Sequence, residues 1–106
     1  MAFTSVGYIP IIEDGGKLDH GSSENYTVTL ETGRTYILTG VCDEDCLDLD
    51  MALYDGYGNL ISRDDTEDDV PTVEVSVTQG GDFTLQVTMF NCNQNPCYYG
   101  VGLYGN

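Results

Sequence analysis

The sequence predicts an all-β fold, a jelly-roll-like antiparallel β-sandwich of about eight strands. Three observations carry that expectation. Apolar and polar residues alternate with period two along most of the chain. Glycine-containing turns interrupt the alternation about every 10 residues. Helix formers are scarce: alanine occurs only at Ala2 and Ala52, while Gly supplies 13 and Tyr 8 of the 106 residues.

The elements follow in order. Residues 3–9 (FTSVGYI) form a weak first strand. Residues 10–24 are loop-like, with Pro10, Gly15, Gly16, Gly21 and two serines, and a short strand is placed near Leu18. Tyr26, Val28 and Leu30 then alternate with Thr27, Thr29 and Glu31, and a turn at Thr32-Gly33 leads into Thr35–Val41. Leu47, Leu49, Met51 and Leu53 point one way, and Asp48, Asp50, Ala52 and Tyr54 the other. Asp55-Gly56-Tyr57-Gly58 makes a hairpin turn into Asn59–Arg63. Val73, Val75 and Val77 mark the next strand, Gly80-Gly81 turns into Phe83–Met89, and Tyr98–Tyr104 closes the fold. No segment has a helical period, and no apolar run approaches the length of a membrane span.

Charge narrows the partners. Eighteen acidic residues face Lys17, Arg34 and Arg63, for a formal net charge of −15. Such a chain repels phosphate backbones and anionic lipid, which argues against nucleic-acid binding and membrane insertion. Metal cations, basic polymers and positively charged protein faces are the complementary partners. The plain alternative is that the acids only keep the protein soluble.

The four cysteines form two close pairs, Cys42 with Cys46 and Cys92 with Cys97. An even count in a small domain points to disulfides and to a secreted, extracellular or periplasmic location. Three pairings are open; two local bridges are favoured because each pair flanks a polar loop, CDEDC and CNQNPC. A four-thiolate zinc site is the competing use.

Residues 15–104 resemble the bacterial pre-peptidase C-terminal domain, whose family includes the collagen-binding domains of clostridial collagenases. The matching features are GGKLDHG, YTVTLETGRTYILTG, DLDMALYDGYGNLISRDD, the valine-rich strand 73–77, GGDFTLQV and YYGVGLY. The DLDMALYD hairpin followed by Asp64-Asp65 is the most specific of them. The two cysteine loops and the high acid content depart from the pattern. A length of 106 residues makes one domain, and the resemblance makes 1–14 an N-terminal strand or linker and 15–106 the core. The resemblance also implies a non-catalytic accessory module of an exported protease or other enzyme, often calcium-binding or involved in substrate attachment.

An acidic constellation follows from the hairpin itself. A turn at Asp55–Gly58 sets Asp50 opposite Arg63, Leu49 opposite Asp64 and Asp48 opposite Asp65. The loops holding Asp43, Glu44 and Asp45, and Glu67, Asp68 and Asp69, leave from the same end. Facing carboxylates at roughly 5 Å, with an effective dielectric near 20, cost on the order of 3 kcal/mol per pair. Arg63, solvent or a hard cation must offset this. Calcium suits because it takes six to eight oxygens in flexible geometry. The expected ligands are therefore Asp43, Asp45, Asp48, Asp50, Asp64, Asp65, Asp68 and Asp69. Residues 43–54 lack the glycine and glutamate of an EF-hand.

A second candidate surface is aromatic. Tyr98, Gly100, Gly102 and Tyr104 share one face of the last strand, so two rings beside glycine backbone could receive a collagen-like or polysaccharide chain. Other signals carry less. His20 with Ser22 or Ser23 lacks any demonstrated triad geometry, and Asp48 with Asp50 lacks a cleft for glycoside hydrolysis. Asn25-Tyr26-Thr27 is a short glycosylation sequon.

Overall fold

The computed structural model describes residues 9–64 and 70–105. Eight strands run in chain order: β1 (Ile9–Leu18), β2 (Ser23–Leu30), β3 (Thr35–Cys42), β4 (Cys46–Tyr54), β5 (Leu60–Asp64), β6 (Thr72–Ser76), β7 (Gly81–Cys92) and β8 (Cys97–Gly105). They form two four-stranded sheets of order β1-β8-β3-β6 and β2-β7-β4-β5. Every pairing is antiparallel. This interleaved order is that of a jelly roll. Only β4 and β5 are neighbours both in sequence and in a sheet, so every other connection crosses between sheets.

The crossings sort the loops by end. The β1–β2, β3–β4, β5–β6 and β7–β8 connections gather at one end of the sandwich. The β2–β3, β4–β5 and β6–β7 turns gather at the other.

The alternating residues read from the sequence meet between the sheets. Leu30, Leu38, Leu49, Met51, Leu53, Val73, Val87 and Met89 are essentially inaccessible to solvent. Each such side chain contributes about 1.5–3 kcal/mol through removal of apolar surface from water.

β1 differs from expectation: the stretch read as a loop is ten residues of strand, paired with β8 from Ile9↔Gly105 to Leu18↔Cys97. Residues 3–8 of the predicted first strand lie outside the described residues. Pro10 is tolerated because β1 is an edge strand, and the ladder shifts register between Pro10 and Ile12. Gly15 serves close approach, since a Cβ there would lie 2.6 Å from the Tyr99 carbonyl oxygen.

The β4–β5 hairpin is also offset. Met51 faces Asp64 and Ala52 faces Arg63, two residues from the predicted pairing. The turn is longer than four residues, with the Asp55 N–H donating to the Asn59 carbonyl, and Ile61 is an extra residue between Tyr54↔Leu60 and Leu53↔Ser62. The slip of two leaves Ser62, Arg63 and Asp64 on their predicted faces, while the extra residue turns Leu60 to the face of Tyr54.

Tyr26 of β2 and Tyr99 of β8 share a hydrogen bond between their hydroxyls, joining the two sheets. Burial, and then this bond, push the Tyr99 phenol above its ordinary value of 10.0. The fold therefore favours the neutral phenol. That stabilisation is complete below pH 10.0 and is lost as pH rises toward the raised value. A Tyr99→Phe variant is expected to lose less stability than the parent as pH rises through and above 10.0 in urea titrations.

Candidate functional site

The end that carries both cysteine pairs is held together by side-chain and backbone bonds between loops. Cys42–Cys46 and Cys92–Cys97 are both disulfide-bonded, as the local pairing predicts. In the β3–β4 loop, Asp43 folds back so that Oδ1 accepts from the Asp45 N–H at 3.2 Å, and Oδ2 accepts from the Tyr98 N–H at 3.1 Å. The Asp43 N–H donates to the Tyr98 carbonyl, and the Asn93 N–H to the Asp45 carbonyl. From the β1–β2 loop, the His20 N–H donates to Asn95 Oδ1 at 2.7 Å, while His20 Nδ1 accepts from the Cys92 N–H at 3.0 Å. His20 is thus a clamp between loops, with its ring nitrogen used by backbone.

The centre of this end is a double irregularity in the β4–β7 ladder. Cys46 pairs with Cys92, Asp48 with Asn91 and Leu49 with Met89, which leaves Leu47 and Phe90 as extra residues on their strands. Leu47 is 53% and Phe90 59% exposed, whereas Asp48 is only 5% exposed. This corrects the expected alternation, in which Leu47 points inward with Leu49. Asp48 Oδ1 is buried with no hydrogen-bond partner among the described residues. A buried carboxylate oxygen left in that state costs more than a solvated one.

Five of the eight predicted acidic ligands, Asp43, Asp45, Asp48, Asp50 and Asp64, lie among the described residues. Asp43 and Asp45 stand in the β3–β4 loop, and Asp48 is buried below it. Asp50, half-buried, pairs with Thr88. Asp64 faces Met51, one position along from Asp50 and hence on the opposite face of the sheet. Its Oδ2 accepts from the Thr72 N–H of β6 at 2.9 Å, tying the edges of the two sheets together. Asp65, Asp68 and Asp69 lie outside the described residues. Among the described residues, no three His, Cys, Asp or Glu side chains converge as a metal group. Asp43 and Asp64 accept backbone N–H groups, which takes up part of their ligating capacity.

The tyrosine surface is also altered. Tyr98 is 58% exposed beside the β3–β4 loop, but Tyr104 is 5% exposed. The Tyr104 ring lies over Gly102, where an added Cβ would sit 2.9 Å from the ring. The glycine makes room for the ring, so this face presents one open aromatic side chain rather than two.

No family model and no curated protein matches the chain. Among solved structures it is similar to the crystal structure of Aeromonas hydrophila PliG, a periplasmic lysozyme inhibitor of g-type lysozyme. The TM-score is 0.66 at 11% identity, over 90% of this chain and 85% of that one. The likeness confirms the all-β sandwich. Two disulfides agree with an oxidising setting such as the extracellular space or the periplasm. No helix among the described residues is long and apolar enough to cross a membrane.

Asp48→Leu, which replaces the unmatched buried oxygen with apolar surface, is expected to raise stability by about 1 kcal/mol in urea unfolding without added metal.

Proposed function

We propose that this chain is a non-catalytic binding module of an exported protein, and that it holds a cationic protein partner against its disulfide-braced end. The observation that carries the reading is the combination at that end of rigid acidic loops and bulge-exposed apolar side chains. Glu44 is exposed on a loop whose neighbours are locked by the Asp43 and Asp45 bonds. Leu47, Phe90 and Tyr98 are exposed on the strands leading to these loops.

Apolar contacts at the centre with charge around them suit protein recognition, and preorganised loops lower the entropy lost on binding. A net charge of −15 selects a basic partner and speeds its approach. PliG, an inhibitor of a lysozyme, has a similar fold and supports the idea that such a sandwich can engage an enzyme. The accessory role implied by the family resemblance is compatible with the same chemistry, the partner then being the parent enzyme.

Binding to a panel of basic secreted proteins that includes a g-type lysozyme tests the proposal. At least one should bind, weakening about tenfold or more between roughly 0.05 and 0.5 M salt. Glu44→Lys should slow association further. Absence of binding across the panel, or binding indifferent to salt, would contradict it.

Calcium is a second reading, favoured by the buried, unmatched oxygen of Asp48. A calcium-dependent rise in melting temperature that disappears in Asp48→Asn supports it; a calorimetric titration without heat removes it.

A further inference from the structure

The opposite end of the sandwich carries a cleft of about 490 Å³ between the β4–β5 hairpin and the β6–β7 turn. Its lining includes Val75, Val77 and Phe83, core residues that reach the surface where the sheet edges β5 and β6 part. Tyr57 and Ile61 line the hairpin side. Tyr57 is 87% exposed, and Leu60 and Ile61 beside it are also exposed.

Both walls are fixed by hydrogen bonds. Asp55 Oδ1 accepts from the Tyr57 and Asn59 N–H groups at 2.9 Å each, and Oδ2 from Asn59 Nδ2 at 3.2 Å. These bonds, the Asn59 N–H foremost, hold the Asp55 carboxyl below its usual range. Gly56 packs against β7, where an added Cβ would lie 3.2 Å from the Asp82 carbonyl oxygen. On the other side, the Gly80 N–H donates to Thr32 Oγ1 at 2.7 Å. A tyrosine held out from the core on a stiff turn, next to an apolar-floored cleft, has the form of a binding anchor.

Charge selects what enters. Asp55 and Asp82 line the cleft, and the cation at this end, Arg34, is matched by Glu31 at 3.1 Å and lies over the Tyr36 ring. A second copy of the chain would bring another −15 charges and is disfavoured, as are nucleic acid and anionic lipid.

We infer that this cleft receives an extended protein segment in which an apolar side chain, seated against Val77 and Phe83 and flanked by Tyr57, is bordered by lysine or arginine. The inference rests on the reading of the chain as a binder of basic proteins, and it adds a second contact remote from the disulfide end.

Chemical-shift mapping tests it, with a cyclic peptide presenting Arg-Leu-Lys as the probe and its Glu-Leu-Glu counterpart as the control. The expected result is movement of the Tyr57, Ile61, Val77 and Phe83 amides with the basic peptide only. Tyr57→Ala and Ile61→Ser should each weaken its binding about tenfold. Because Tyr57 is exposed, Tyr57→Ala should leave the melting temperature nearly unchanged. No movement in the cleft, equal response to the acidic peptide, or unchanged affinity in both variants would overturn the inference. Salt-sensitive binding of the protein panel without cleft movement would overturn this inference alone. Cleft movement with no panel binding would instead count against the disulfide-end reading.

Discussion

Two buried cysteines, Cys46 and Cys92, stand out of phase with the apolar stripes that lead to them. On β4, Leu49, Met51 and Leu53 occupy odd positions and Cys46 an even one. On β7, Phe83, Leu85, Val87 and Met89 are odd and Cys92 is even. All of these residues are buried, and a strand of strict period two cannot bury both sets. The conflict falls at matching places on paired strands, and one pair of bulges resolves it. What the bulges expose, Leu47 and Phe90, and what they bury, Asp48, are the materials of the disulfide end.

Self-repulsion among eighteen carboxylates is the second constraint, and the fold meets it by giving acids structural work. Asp43 ties its loop to β8, Asp55 organises a hairpin turn, Asp64 joins the sheet edges and Asp14 accepts from the Gly15 N–H. An ionised acceptor makes a stronger hydrogen bond than a neutral one, so each of these bonds offsets part of the repulsion. The rest of the negative potential remains at the surface, where a basic partner lowers it further.

Much of this was legible before any coordinates. Alternation of buried apolar residues marks six strands, the Asp55–Gly58 turn marks β5, and the cysteine spacing points to both bridges. That the Asp43–Asp45 loop and the end of β5 at Asp64 lie at one end of the sandwich was also legible, since the hairpin fixes it. What escaped depends on partners distant in sequence. β1 looks like a loop because its glycines are needed only where β8 approaches. Tyr104 looks exposed until its ring is laid over Gly102. The hairpin register turns on one extra residue, Ile61, and the Tyr57 cleft exists only because two separate turns meet. The cysteine phase conflict is present in the sequence; reading each strand by its leucines alone hides it.

Native-state hydrogen exchange across β4 and β7 tests the phase break most directly. The account predicts that amides in the regular ladder, Leu49–Leu53 and Phe83–Met89, include the slowest in the protein, with protection interrupted at Leu47 and Phe90. Unbroken protection running through both residues to Cys46 and Cys92 would mean a continuous ladder, and with it an exposed Asp48 and a different disulfide end.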